Sequence, residues 1–190
     1  MSNEKKKNSM LLHSCCGPCS TAVITRLMSE FDLSVFYYNP NITDAQEYEL
    51  RKTEQMRFLR AFNEEHSTAI RFIEGTYEPD TYLRYVAGLE QEREGGRRCA
   101  VCFQLRLAET ARRAADDRYD FFDTTLSVSP HKDYETLLRI GKELEILYGV
   151  RFAAGNYKKK NGFAESLSLS RQYGLYRQDY CGCEFSRRDR

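Results

Sequence analysis

Seven cysteines in a chain of 190 residues fall into three groups: Cys15, Cys16 and Cys19; Cys99 and Cys102; Cys181 and Cys183. The count is too sparse for a disulfide-built scaffold, and an odd number cannot pair fully. Cysteines serving only as buried hydrophobes would scatter, so grouping points to metal ligation or redox exchange. Cys99-Ala100-Val101-Cys102 has the gap that lets one turn of chain present two thiolates to one metal. The helix start that follows is expected to lower the thiol pKa and favour the ligating form. Cys15 and Cys16 adjoin, so both reach one centre only through a tight turn, which Gly17-Pro18 can supply. The two pairs offer four sulfurs, suiting zinc or an iron–sulfur cluster. Structural zinc usually sits between two C-x-x-C knuckles, and the Cys-Cys start leans toward the cluster. Cys19 reads either as a further ligand or as a buried residue opening the first helix.

Cys181-Gly182-Cys183 implies different chemistry. A C-x-C pair can close a very small disulfide ring, with Gly182 granting the dihedrals it needs. Strain makes such a ring labile and suited to electron transfer; the alternative is a second metal knuckle completing the first site. His131 reads as an acid or phosphate contact, or as merely exposed, His13 as a hydrogen-bonded core residue and His66 as surface. Lys158, Lys159 and Lys160 make a basic loop, followed by Arg171, Tyr173, Tyr176, Arg177 and Tyr180. Arginines interleaved with tyrosines can hold phosphates and stack a base; they also suit an ordinary solvated surface.

The elements that must carry these residues alternate in type. Strands are expected over Met10–His13, Leu33–Tyr38, Thr68–Ile73, Tyr119–Val128 and Val150–Ala153. Helices are expected over Ala22–Phe31, from a Thr43 or Asp44 cap to about Asn63, over Cys99–Ala115, after Asp133, and over Phe163–Tyr173. Buried stripes are expected at Ala45, Tyr48, Met56, Leu59 and Phe62, at Val101, Leu105, Ala108 and Ala115, and at Leu137, Ile140, Leu144 and Leu147. Strands separated by helices give an α/β fold with a mostly parallel, doubly wound sheet. Ligands of such sheets sit beyond the carboxyl ends of the strands where strand order reverses, which is where the Cys15–Cys19 loop falls. No G-x-G-x-x-G, P-loop or Ser-Gly-Gly phosphate loop is present, which argues against a nucleotide cofactor.

Composition bounds the rest. Hydrophobic residues make up 41% of the chain, enough for a single core, and 13% aromatic content argues against disorder. The net charge of +1 excludes a globally basic nucleic-acid coat. Residues 151–190 hold nine Lys or Arg against four acids, a surplus of five, so residues 1–150 carry minus four. Such asymmetry can mark a face that meets a polyanion. No apolar run is long enough to span a membrane, and Met10-Leu11-Leu12 is too short for a signal peptide, so a cytoplasmic protein is expected. The expected organisation is a disordered basic tail over 1–9, a single catalytic domain over 10–186 and a basic tail over 187–190.

From about Leu11 to Ser186 the chain resembles the QueH family of epoxyqueuosine reductases. The resemblance rests on Leu12-His13-Ser14-Cys15-Cys16-Gly17-Pro18-Cys19-Ser20, Tyr38-Asn39-Pro40-Asn41-Ile42, Tyr48-Glu49-Leu50-Arg51-Lys52 and Gly88-Leu89-Glu90. It continues through Gly95-Gly96-Arg97-Arg98-Cys99, Cys102-Phe103-Gln104-Leu105-Arg106-Leu107, Thr124-Thr125-Leu126 and Ser129-Pro130-His131-Lys132. Lys158-Lys159-Lys160-Asn161-Gly162, Tyr176-Arg177-Gln178 and Tyr180-Cys181-Gly182-Cys183 complete it; Gly17 departs from the family's common Ala.

The resemblance implies a Rossmann-like fold related to the adenine-nucleotide α-hydrolases. It implies a cobalamin-independent oxidoreductase of queuosine biosynthesis that reduces epoxyqueuosine to queuosine at the tRNA wobble position. By the same resemblance, Cys15, Cys16, Cys99 and Cys102 ligate a [4Fe-4S] cluster, and Cys181 and Cys183 form a redox-active disulfide pair. Cys19 serves the cluster or an additional iron. An external electron donor is required, and His131, Lys158, Lys159, Lys160 and Arg177 are the expected tRNA contacts. Two other classes compete: a non-catalytic, zinc-containing tRNA-binding module, and an iron–sulfur-dependent tRNA sulfur-transfer enzyme. The missing nucleotide loop counts against the latter, because thiolation normally activates the base with ATP.

Overall fold

A computed structural model describes residues 7–187. The parallel strands β1 (Asn8–His13), β2 (Phe31–Tyr37), β3 (Arg71–Glu74), β4 (Phe121–Thr124) and β5 (Arg151–Phe152) form one sheet in the order β3-β2-β1-β4-β5. Helices α1 (Gly17–Leu27), α2 (Ala45–His66), α3 (Pro79–Tyr85), α4 (Arg97–Asp116), α5 (Tyr134–Tyr148) and α6 (Gly162–Gln172) flank it. This is the expected single-domain, doubly wound α/β fold.

Helices on both faces explain why Met10, Leu11 and Leu12 form an unbroken buried run in β1. Successive strand side chains point to opposite faces. Leu11 therefore joins Phe36, Phe103, Leu107 and Ile140 under α4 and α5. Met10 and Leu12 join Val23, Val35, Phe58 and Phe62 under α1 and α2. Strand order reverses between β1 and β4, where His13 pairs in register with Thr124.

Several boundaries differ from expectation for identifiable reasons. β1 starts at Asn8, inside the stretch expected as tail, because the Ser9 N–H and Oγ are held by Asp120 Oδ2 at 2.8 and 2.9 Å. Residues 1–6 and 188–190, the rest of the expected tails, lie outside the described residues, while Arg187 pairs with Asp44 at 3.5 Å. Helix α1 begins at Gly17 rather than Ala22 because Pro18 occupies its first turn, which puts Cys19 inside the helix. The fourth strand ends at Thr124, whose Oγ1 accepts from Leu126 N at 3.1 Å and turns the chain into a 3-10 helix over Thr125–Val128. Helix α3 lies in a stretch whose polarity hid it.

All three expected stripes also move. On α2, Ala45 and Met56 are exposed, whereas Arg51, Gln55 and Phe58 join Tyr48, Leu59 and Phe62 on the buried face. Leu147 is 70% exposed, because ten residues beyond Leu137 a helix has turned about 80° off the stripe. On α4 the buried face is Arg98, Cys99, Cys102, Phe103, Arg106, Leu107, Thr110 and Ala111, whereas Val101, Leu105, Ala108 and Ala115 are half-buried. Counting only apolar residues missed a stripe that repeats arginine and cysteine at helical spacing.

Candidate active site

At the carboxyl end of β1 the chain leaves the sheet through Ser14, Cys15 and Cys16, and Cys16 caps α1 with an extended backbone. This short exit brings the Sγ atoms of Cys15, Cys16 and Cys19 within 4.8 Å of one another, a group that can hold a metal ion. The Cys15 and Cys16 sulfurs are 3.7 Å apart. Donation from the Cys16 and Cys19 thiols, joined by the Arg106 charge, holds Cys15 well below the usual thiol range. Cys16 and Cys19 are held high in return, chiefly because they donate to Cys15.

Across the switch point, Gly96 caps α4 and Cys99 lies in its first turn, where Gly95 N–H donates to Cys99 Sγ at 3.2 Å. Burial pushes both Cys99 and Cys102 above the ordinary thiol value, outweighing the downward pull of Gly95 N–H on Cys99 and of Arg106 on Cys102. The expected lowering by the helix start is therefore overturned by desolvation.

The Cys181–Cys183 turn is fixed by its neighbours. Gly182 has φ +100°, and a Cβ there would lie 2.6 Å from Ile42 Cγ1, so both backbone conformation and space require glycine. Arg51, ion-paired to Glu47 at 2.6 Å, donates to the Tyr180 carbonyl at 3.1 Å, and Asn41 Nδ2 donates to the Cys181 carbonyl at 3.3 Å. Both thiols are free in this structure.

Cys15, Cys19, Cys99, Cys102, Cys181 and Cys183 all line one cavity of about 230 Å³. Cys16 lies buried beside it, with Gln178 Nε2 donating to its sulfur at 2.9 Å. The structure thus draws the three cysteine groups to one place. Among the described residues, however, the group of three gathered within 4.8 Å is Cys15, Cys16 and Cys19, without Cys99 or Cys102.

Arg106, 3% exposed, spans the gap between the groups. It donates through Nη1 to Cys102 Sγ at 3.8 Å, through Nη2 to Asn39 Oδ1 at 2.7 Å and through Nε to His13 Nε2 at 3.3 Å. His13 Nε2 also lies 3.1 Å from the Tyr38 carbonyl, and Nδ1 lies 2.9 Å from Thr124 Oγ1. Burial and Arg106 together lower His13 to about 3, so the ring is neutral. None of the Arg106 partners is a carboxylate. A buried guanidinium needs a counter-charge, and Cys102 and Cys15 keep Arg106 ionised against its burial. Thiols in this setting, balanced by a buried cation, fit a metal or iron–sulfur group.

The remaining expected contacts rim the cavity or adjoin it. His131 is exposed on the rim, and Arg177 lies there with its guanidinium 5.3 Å from the Phe163 ring centroid. Lys158 Nζ donates to the Lys132 carbonyl at 2.8 Å, tying the basic loop to the rim, while Lys159 and Lys160 are exposed. His66 is exposed at the end of α2, as expected. Sequence reasoning gave no role to Arg106, Tyr82 or Lys132. Lys132 is buried and paired with Glu94 at 2.9 Å. Burial pulls its ammonium down, but the charges of Cys181, Glu94 and Cys99 outweigh that and raise it above the lysine range. For Arg106 the signal was available, since it follows Cys102 by one helical turn.

A family model described as epoxyqueuosine reductase QueH matches residues 10–189. Relatives named epoxyqueuosine reductase QueH include one from Streptococcus pyogenes, 38% identical over 96% of this chain and 72% of its own length. One from Acinetobacter baylyi is 37% identical over 95% of this chain and 81% of its own. One from Thermotoga maritima is 34% identical over 93% of this chain and 89% of its own.

Proposed function

The chain belongs to the epoxyqueuosine reductase QueH family, and on that premise we propose that the sulfur-lined cavity reduces epoxyqueuosine to queuosine in tRNA. The protein is an oxidoreductase of queuosine biosynthesis, and the comparisons favour neither the zinc module nor the sulfur-transfer enzyme. No helix among the described residues is long and apolar enough to cross a membrane. The observation that carries the reading is the convergence of six cysteines from three separate parts of the chain on one cavity at the switch point.

Within this reading, Cys15, Cys16, Cys99 and Cys102 hold a [4Fe-4S] cluster, with Cys19 as a further ligand to it or to a second iron. The grouping of Cys19 with Cys15 and Cys16 supports giving it a ligand's role. When bound, such a cluster relays single electrons. The chain's own residues do the rest. Converting an epoxide to an alkene and water consumes two electrons and two protons. Oxidising the Cys181 and Cys183 thiols to a disulfide releases the same number of each, so the pair balances one turnover, and an external donor restores it. His131 and Arg177 at the rim, with Lys158, Lys159 and Lys160 beside it, receive the anticodon backbone and base. Lys132, cationic and buried in the wall, orients charge toward Cys181 and Cys99.

The test is anaerobic incubation of the iron-loaded protein with epoxyqueuosine tRNA and a chemical reductant, followed by nucleoside mass analysis. Queuosine should accumulate without ATP or cobalamin. Substrate left unchanged by protein whose iron content is verified refutes the reading.

A further inference from the structure

The two C-terminal cysteines sit in unlike surroundings. Cys183 is 4% exposed and receives a hydrogen bond from the Tyr82 hydroxyl, 3.0 Å from its sulfur. Tyr82 is itself buried, on α3, and packs with Cys102, Cys183 and Phe185. Cys181 is half-buried, lines the cavity and donates to Ser186 Oγ at 3.3 Å. We propose that Tyr82 is a catalytic residue of thiol–disulfide exchange at this pair: its hydroxyl holds Cys183 as the leaving sulfur while Cys181 exchanges with an external dithiol. The proposal rests on the reading of Cys181 and Cys183 as a redox pair.

The chemistry selects this division. A buried tyrosine hydroxyl finds a partner, yet a neutral thiol or disulfide sulfur is a weak acceptor. The bond gains most strength when the sulfur carries negative charge, which Cys183 does as it leaves. An interaction stronger in the transition state than in the ground state accelerates the step.

The balanced step begins with the thiolate of a small dithiol attacking Cys181 Sγ. The Cys181–Cys183 bond breaks, and its electron pair goes to Cys183 Sγ, where the Tyr82 O–H supports it until water supplies a proton. The reductant's second thiolate then attacks its own mixed-disulfide sulfur and releases the Cys181 thiolate. The dithiol leaves as a cyclic disulfide, and the pair has gained two electrons.

The experiment uses the full chain, oxidised with diamide and reduced with dithiothreitol, with the alkylated peptide spanning residues 178–187 followed by mass. Tyr82→Phe keeps the ring and removes only the hydroxyl. A hydrogen bond to a charged sulfur is worth roughly 1.5–3 kcal/mol, so reduction of the disulfide should slow by at least about tenfold. Circular dichroism unchanged from the parent shows that the variant is folded. A merely structural role predicts the opposite sign, since a loosened loop is reduced faster. Unchanged or faster reduction in Tyr82→Phe overturns the assignment to Tyr82. With oxidised glutathione, Cys183→Ser should carry the adduct on Cys181, while Cys181→Ser should leave Cys183 unmodified. The reverse pattern overturns the division of labour. A parent that forms no disulfide between residues 181 and 183 overturns the redox reading, and the proposal with it.

Discussion

Asp123 offers a titration whose sign and size follow from its position. It lies in β4 fully buried, with Oδ2 accepting from Tyr157 O–H at 2.6 Å and Gly155 N at 3.1 Å, and Oδ1 from Thr124 N at 2.8 Å. These bonds anchor the segment leading into Lys158–Lys160, so the carboxylate supports the basic loop. Burial wins over its three donors and raises its pKa from 3.8 to about 6. The native state therefore holds the proton more tightly than the unfolded chain. The resulting stability is present below the unfolded pKa and is lost as pH rises through the folded one. Integrated from about pH 4.5 to about pH 7.5, the loss is about 2 kcal/mol. Asp123→Asn removes this titration but turns an N–H₂ toward one of the donors, leaving an unmet buried group that costs roughly 1–3 kcal/mol. The variant should be clearly less stable than the parent at the acid end and close to it at the neutral end. Urea unfolding at both pH values measures this directly. If the two stability–pH curves run parallel, the carboxyl is not titrating in that window and the argument from burial fails.

Cys99→Ser or Cys102→Ser should lose bound iron and reductase activity together, read by metal analysis and nucleoside mass; full iron with full turnover removes that residue from the ligand set. Arg106→Met should destabilise the fold by roughly 1–3 kcal/mol, because Asn39 Oδ1 loses its buried donor. Arg106→Lys keeps the charge and should retain more metal than the Met variant, checked by urea unfolding and iron content. Lys159→Ala with Lys160→Ala should weaken tRNA binding and reduce the slope of log affinity against log salt by as much as about 2, without changing the absorption of the metal centre. An unchanged slope places the polyanion face elsewhere. Lys158 is left intact there because its ammonium is engaged by the Lys132 carbonyl.

The parallel sheet was legible because β1 carries a contiguous apolar run, as doubly wound packing demands of a central strand, and β2 and β4 are rich in β-formers between helical segments. Helix boundaries were legible where a side chain marks them. Asp44 accepts from Gln46 N and Glu47 N, and Asp133 accepts from Thr136 N. Elements defined by tertiary contacts were not. Helix α3 has a tyrosine-rich, charged sequence and gains its one fully buried side chain, Tyr82, by packing with the distant Cys102, Cys183 and Phe185. The cysteine groups were legible by type and spacing, but the closeness of Cys19 to Cys15 and Cys16 depends on α1 starting at Gly17. The spacing of Arg106 one helical turn beyond Cys102 was legible, but its burial was not, because an arginine on a helix is ordinarily surface and the finished fold is what brings it to sulfur where a carboxylate would be expected.

The way the three cysteine groups are held bears on how they can work together. Cys15, Cys16 and Cys19 follow a central strand directly, and Cys99 and Cys102 ride on the first turns of α4, a helix packed on the sheet. Both groups share the rigidity of the core, which suits ligands whose geometry must not change. Cys181 and Cys183 follow no sheet strand. Their turn is held at the cavity by backbone bonds from Asn41 and Arg51, by the Tyr180 ring 5.1 Å from the Arg51 guanidinium, and by the Tyr82 hydroxyl. Side-chain tethers of this kind open at lower cost than strand pairing. On the proposed redox reading, the pair meets both the cavity and an external reductant, which such a mounting serves better than the sheet. The fold therefore separates a fixed sulfur site from a tethered one, with Arg106 as the buried cation of the first and Tyr82 as the hydrogen-bond donor of the second.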